Sequence, residues 1–290
     1  MPHVTVPPGV EGIAALVELP DPAWESRWTR IVAPAALKER LVNFAVFALR
    51  HRAHIDSVGL PLHGLVILAG PPGTGKTTLA GGLADRAARE LGETVLAVDI
   101  DPHAFPSQLL GESQRGVARL FGRTLPDLAS RGKPMIVILD EVESLAVSRA
   151  GASLETNPVD VHRATDAVLA GMDAVAKAWP NVLFIATTNH EIGVDPAFLS
   201  RADLVEQMGL PAAEAVAQIL ADTLRELSAK DGASATDLAS LARSCVEARM
   251  DARQVRKLVL RAVVSRRELA ADPTKLRLAD VAAALKADRS

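Results

Sequence analysis

At 290 residues, with 49% hydrophobic and 23% charged side chains, the chain can bury one large core and a smaller one, and a disordered polymer is excluded. A formal net charge of −3 argues against a general nucleic-acid binder, and no apolar run approaches the roughly 18 to 20 residues that span a bilayer. The N-terminal MPHVTVPPGVEG has no basic segment followed by an apolar stretch, so no secretory signal is read and a cytoplasmic location is expected.

Residues 1–23, rich in proline and small side chains, read as an extension without its own core, with one short helical piece at Gly12 to Glu18. Trp24 and Trp28 stand i, i+4 on one helical face; packing, and a border on the adenine of a nucleotide by Trp28 to Val32, are equally open. Ala35 to His54 carries Leu37, Leu41, Phe44, Phe47 and Ala48 at helical spacing, with Pro34 just ahead of the first turn. Leu65 to Leu68 is a strand buried on both faces, and Thr77 to Ala80 resume a helical pattern.

Between that strand and that helix lies the run Gly70, Pro71, Pro72, Gly73, Thr74, Gly75, Lys76, Thr77, Thr78, which fits G-x-x-x-x-G-K-[ST]. The glycines let the backbone turn inward, so that several N–H groups and the following helix N-terminus face phosphate oxygens. Lys76 is expected to reach the β- and γ-phosphates of ATP, and the Thr77 hydroxyl to ligate Mg²⁺.

Further along, Thr78 to Leu91 reads as a helix, Thr94 to Ile100 as a strand, Glu112 to Gly122 as a helix and Met135 to Leu139 as a strand. Asn181 to Thr187 and Asp203 to Met208 complete five strands alternating with helices, the signature of a parallel sheet covered on both faces, with its ligand at the carboxyl ends of the strands. From Pro211 the strands stop. Ala212 to Leu227, Ala235 to Glu247, Ala252 to Leu269 and Leu278 to Ala287 read as four helices, so the expected division is an extension over 1–23, an α/β domain over 24–210 and a small all-helical domain over 211–290. The single cysteine, Cys245, has no metal-site spacing around it and reads as a buried helix thiol.

The other strand ends narrow the chemistry. Asp140, after MIVIL, is placed to hold Mg²⁺, and Glu141 beside it to polarise a water toward the γ-phosphate. Asn189, after VLFIATT, is expected to orient that water with its amide; taken alone it is also a common turn residue. Arg201, in DPAFLSRADLVEQ, is expected to reach a neighbouring subunit's nucleotide. Arg253 is expected either to touch the γ-phosphate from the helical domain or to be a solvated member of the basic stretch Arg253, Arg256, Lys257, Arg261.

In order and in residues, GPPGTGKTT, ILDE, ATTN, the arginine of SRAD and a helical lid resemble the AAA+ ATPases from about Trp24 to the C-terminus. The segment Val137 to Leu210, with DEVESL, a short loop carrying Arg163, and RAD, is similar to the pachytene checkpoint family, which remodels HORMA-domain proteins. That resemblance implies a homo-hexamer that hydrolyses ATP with Mg²⁺ and threads a peptide of a HORMA-domain substrate through a central pore. The size resembles compact bacterial members found with nucleotide second-messenger synthases in anti-phage defence; a complex containing such a synthase is then expected, with no membrane and no nucleic-acid partner. Two departures stand out: no large adaptor-binding domain precedes the core, and the pore segment has Leu109, Leu110 and Gly111 where the family usually has an aromatic residue. The leucines are equally readable as core. Rival readings are a DNA-associated loader or switch, with a basic pore face, and a scaffold that binds ATP without turnover, which an altered acidic pair would have signalled.

Overall fold

Strand β2 (Leu65–Ala69) occupies the interior of a six-stranded sheet in the computed structural model, which describes residues 12–55, 59–101, 112–144, 158–189, 194, 196–227 and 234–287. Leu109, Leu110 and Gly111 lie outside the described residues. The chain divides into two compact units, residues 1–70 with 76–208, and 71–75 with 209–290.

In the first unit the strands are β1 (Ile13–Leu19), β2, β3 (Val95–Ile100), β4 (Met135–Leu139), β5 (Val182–Thr188) and β6 (Leu204–Gln207), in the order β1-β3-β4-β5-β2-β6. The pairs β3/β4, β4/β5, β5/β2 and β2/β6 are parallel. β1 is antiparallel to β3, running from Ile13 opposite Ile100 to Leu19 opposite Val95, and the Asp101 N–H donates to the Gly12 carbonyl 3.0 Å away. The expected helical piece at Gly12 to Glu18 is therefore corrected to a strand, and the five-stranded parallel sheet gains a sixth, antiparallel edge. Seven residues form too short a helix to persist without an apolar seat, whereas Leu16, Val17 and Leu19 are buried by pairing with β3.

Alternation along the strands fills both faces. Leu65, Ile67 and Ala69 join one apolar cluster, and Val66 and Leu68 the other, which is why the sequence of β2 is continuously apolar. One face is covered by α4 (Glu112–Arg119), a π-helical turn at Leu120–Thr124, α5 (Leu125–Ala129) and α6 (Pro158–Ala178). Arg163 thus belongs to a helix rather than to a loop. The opposite face is covered by α1 (Pro22–Arg30), α2 (Ala35–His51) and α3 (Lys76–Leu91). Asp21 caps α1 by accepting from the Ala23 N–H at 2.8 Å, with Pro22 in its first turn. Trp24 is buried against α3, and the Trp28 ring lies 4.8 Å from the Lys38 ammonium, so both tryptophans have packing roles. A one-turn helix α7 (Pro196–Leu199) precedes β6.

The second unit contains α8 (Ala213–Glu226), α9 (Ala235–Glu247), α10 (Ala252–Val264), α11 (Arg267–Ala271) and α12 (Leu278–Ala287). Val216, Ile219, Leu220, Leu241, Val255, Leu258 and Val259 are buried there, as is Cys245. The helix expected over Ala252 to Leu269 breaks after Val264, because Arg266 is extended (φ −133°, ψ 132°). Asp251 and Gln254 form a capping box at the start of α10, with bonds of 2.8 and 2.9 Å. Among the described residues no helix is long and apolar enough to cross a membrane.

Candidate nucleotide site at the strand ends

Because β5 lies between β2 and β4, the segments leaving these three strands converge at one edge. The first is the glycine-rich turn. Gly70, Gly73 and Gly75 have φ of +147°, +82° and +93°, and at Gly70 a Cβ would stand 2.1 Å from the Met208 carbonyl, so no larger residue fits. The Gly70 N–H donates to the Thr188 carbonyl (3.2 Å), fixing the turn to the end of β5. Thr74 closes the turn by donating to the Pro71 carbonyl (3.0 Å), while Pro71 and Pro72 are exposed.

Lys76, at the first turn of α3, is buried, and its ammonium donates to the Gly70 carbonyl (2.8 Å) and to Asn189 Oδ1 (2.9 Å). Both acceptors are neutral. A buried ammonium gains more from an anion than from carbonyl dipoles, so this geometry suits exchange of those oxygens for phosphate oxygens. The Thr77 hydroxyl donates to Asp140 Oδ1 at 2.7 Å, and Thr78 follows in the same turn of α3.

The acidic pair after β4 is held by β5. Glu141 has a left-handed backbone, φ +48°, which costs a non-glycine residue roughly 1–2 kcal/mol. Its N–H donates to Thr187 Oγ1 (3.1 Å), and the Thr187 hydroxyl donates to Asp140 Oδ1. Asn189 Nδ2 donates to Glu141 Oε1 at 3.3 Å, and the Asn189 N–H donates to Glu143 Oε1 at 3.0 Å. Lys76, Thr77, Asp140, Glu141 and Asn189, all expected from sequence, therefore share one hydrogen-bonded network.

Thr187, Glu143 and Asp99 are additions that sequence reading missed. Thr187 follows from parallel register, since Ala186 pairs with Leu139 and places the next residue beside Asp140. Glu143 stands two residues beyond Glu141, in DEVES. Asp99, on β3, has its carboxyl pushed up to about 6, first by burial, then by the Asp140 and Asp101 carboxylates, with Arg27 opposing. A cation would relieve this crowding of negative charge. Thr77 and Asp140 are the residues that would hold such an ion beside a nucleotide's phosphates.

The two expected arginines have other surroundings within their own units. Arg201 is half-buried, with Nε and Nη2 each 2.9 Å from Asp173 Oδ2 and Nη1 donating to the Ala197 carbonyl at 2.6 Å. Arg253 is exposed in the first turn of α10. Its neighbour Asp251 has its carboxylate against Gly73, where a Cβ would stand 2.3–2.5 Å from it.

Residues 66–210 match the family model "ATPase family associated with various cellular activities (AAA)". The chain is 42% identical over 282 residues to CD-NTase-associated protein 6 of Pseudomonas aeruginosa, covering 95% of this chain and 92% of that protein. It is 33% identical over 213 residues to the pachytene checkpoint protein 2 homolog of Oryza sativa subsp. indica, covering 72% of this chain and 45% of that longer protein. A chain in the solved E. coli MS115-1 HORMA:CdnC:Trip13 complex superposes with a TM-score of 0.79 at 21% identity over 95% of both chains. C. elegans PCH-2 superposes with a TM-score of 0.77 at 23% identity, over 93% of this chain and 73% of that one. A glycine-rich turn bonded to the end of β5, an acidic pair after β4 and these likenesses lead to one conclusion: the chain belongs to the AAA ATPases, in the family of CD-NTase-associated protein 6 and the pachytene checkpoint proteins.

Proposed function

We propose that the chain hydrolyses ATP with Mg²⁺ as a homo-hexamer and uses the turnover to remodel a HORMA-domain protein. The observation carrying this reading is the network joining Lys76, Asn189, Glu141, Asp140 and Thr77. Bound Mg·ATP supplies the polarised γ-phosphoryl group and the metal's charge. For its part, Lys76 gives up the Gly70 and Asn189 oxygens for phosphate oxygens, with Gly70 to Thr78 forming the cradle. Thr77 Oγ1 and Asp140 hold the metal. Asn189, released from Lys76, keeps Nδ2 on Glu141 and orients the attacking water, and a Glu141 carboxylate oxygen accepts that water's proton. Arg201 acts across the subunit boundary on a neighbour's nucleotide, exchanging Asp173 for phosphate. Arg253 reports the γ-phosphate to the helical unit.

The HORMA partner is supported by the company in which the structural relative was solved. The name of CD-NTase-associated protein 6 supports a setting beside a nucleotide second-messenger synthase, in anti-phage signalling. The test is phosphate release by the purified protein with and without a HORMA-domain protein, beside co-elution of that protein with Glu141→Gln in ATP. Stimulated release and a trapped complex are expected. No hydrolysis, or hydrolysis raised by duplex DNA and unmoved by any HORMA-domain protein, overturns the reading.

A further inference from the structure

Two hydrogen bonds cross between the ends of β4 and β5 in opposite directions. The Glu141 N–H donates to the Thr187 hydroxyl, and the Asn189 N–H donates to the Glu143 carboxylate. The first holds the residue that faces water in its left-handed backbone. The second has no role in the chemistry above, yet the fold maintains it at a cost, for Glu143 Oε2 is buried with no hydrogen-bond partner among the described residues. A buried acceptor without a donor is unfavourable, and one carboxylate oxygen facing an N–H while its twin faces nothing is a poor arrangement for stability alone.

We infer that Glu143 is a positioning residue for hydrolysis, which pins the Asn189 backbone so that its side-chain amide stays on Glu141 when Lys76 turns to phosphate. The geometry supports this step by step. Asn189 directly follows β5, and both ends of its side-chain amide are committed, Oδ1 to Lys76 and Nδ2 to Glu141. Such an amide points correctly only if its backbone is fixed, and the charge-assisted bond to Glu143 is the one that fixes it from the β4 side. Glu143 itself starts from the short 3₁₀ turn Val142–Ser144, whose Val142 is fully buried in the core. The turn is thereby anchored, and its carboxylate reaches the neighbouring strand end. Glu143 needs no contact with nucleotide; it acts through Asn189, so its loss should lower turnover and leave binding.

The inference rests on the hydrolytic reading, and the experiment separates the two. Wild-type protein is assayed first, for steady-state phosphate release and for ATP affinity by a fluorescent analogue. Glu143→Ala should reduce kcat by about ten- to hundredfold, the range for one lost charge-assisted hydrogen bond, with KM and affinity within about twofold. Glu143→Gln keeps an oxygen for the Asn189 N–H and should retain most of the turnover. Glu143→Asp keeps the charge but is one methylene shorter, and should behave like Glu143→Ala. Independently of activity, the Asn189 amide in nucleotide-free protein should exchange with solvent faster in Glu143→Ala and Glu143→Asp than in wild type or Glu143→Gln, as read by NMR. If wild type hydrolyses ATP and Glu143→Ala keeps kcat within twofold, the inference fails. It also fails if the variants lose affinity as much as turnover, or if Asn189 exchange is unchanged. If wild type itself does not hydrolyse ATP while Asn189 exchange responds as described, the hydrolytic reading fails and the pinning stands. Should Glu143→Ala not fold, the contrast between Glu143→Gln and Glu143→Asp decides alone.

Discussion

The two ends of the β2/β5 pair each bury a cation, and they use it differently. At the amino end, Arg52 donates to the carbonyls of His63 (3.2 Å), Trp179 (3.1 Å) and Val182, while the Asp203 carboxylate accepts the N–H groups of His63, Gly64 and Leu65 at 2.6–3.0 Å. Gly64, at φ +70°, makes room: a Cβ there would stand 1.2 Å from Arg52 Nη1. Burial pushes the guanidinium down to about 10, partly offset by Asp203, so it stays charged at neutral pH. At the carboxyl end, the partners of Lys76 include the Gly70 carbonyl and the Asn189 side-chain amide, and the acidic groups touch hydroxyls and amides. Backbone partners belong to the sheet and cannot leave without unfolding it. Side-chain partners can turn away and admit a ligand. A buried charge held by backbone carbonyls at several points is thus a structural fastening, and one held in part by a side chain that can turn is suited to a site.

The sharpest way to break this comparison is to remove each cation. Arg52→Met should cost about 3–5 kcal/mol in denaturant unfolding, because buried carbonyls and Asp203 lose their partner, with ATP affinity per folded molecule unchanged. Lys76→Met should do the reverse, leaving the unfolding midpoint within about 1 kcal/mol and lowering ATP affinity by about a hundredfold or more. Equal stability losses would erase the distinction.

A smaller effect is expected at Thr187, which belongs to the sheet and to the site at once. Thr187→Val removes the acceptor of the Glu141 N–H and the donor to Asp140 at nearly constant volume. Stability should fall by about 1–3 kcal/mol and phosphate release by about tenfold or more, while Thr187→Ser restores both. Full activity of the valine variant would show that Glu141 holds its backbone unaided.

Asp99 sharpens the comparison by pH. Its folded carboxyl, at about 6 against 3.8 for the ordinary group, binds a proton more readily than in the unfolded chain, so its unfavourable contribution is absent below about pH 4, grows between about 4 and 6 and is constant above that. In nucleotide-free protein, Asp99→Asn should stabilise by about 1–2 kcal/mol near pH 7.5, with the gap narrowing toward pH 5. A gap that does not change with pH would assign the effect to packing. The smallest stability change belongs to Asp173→Asn: its pair with Arg201 is partly solvated, and the loss should stay under about 1 kcal/mol in thermal unfolding.

What was readable without coordinates was local. The turn from Gly70 to Thr78, the adjacent Asp140 and Glu141, and the run of strands ending in Asn189 are specified by residues close in sequence, where spacing alone sets the chemistry and apolar runs set the strands. Cys245 was legible as a buried thiol for the same reason. The edge strand Ile13–Leu19 was not, because its conformation is decided by a partner some 80 residues away that it meets only in the folded sheet. Nor were Thr187 and Glu143: a threonine inside a strand and a second glutamate after an acidic pair have many uses, and parallel register selected theirs. The Asp173 partner of Arg201 was not legible either, because it comes from a helix that precedes β5. Sequence determined which residues meet in the strand-end network because motifs are short-range. The fold decided what holds those residues in place, because hydrogen bonds between neighbouring strand ends join segments that spacing along the chain does not relate.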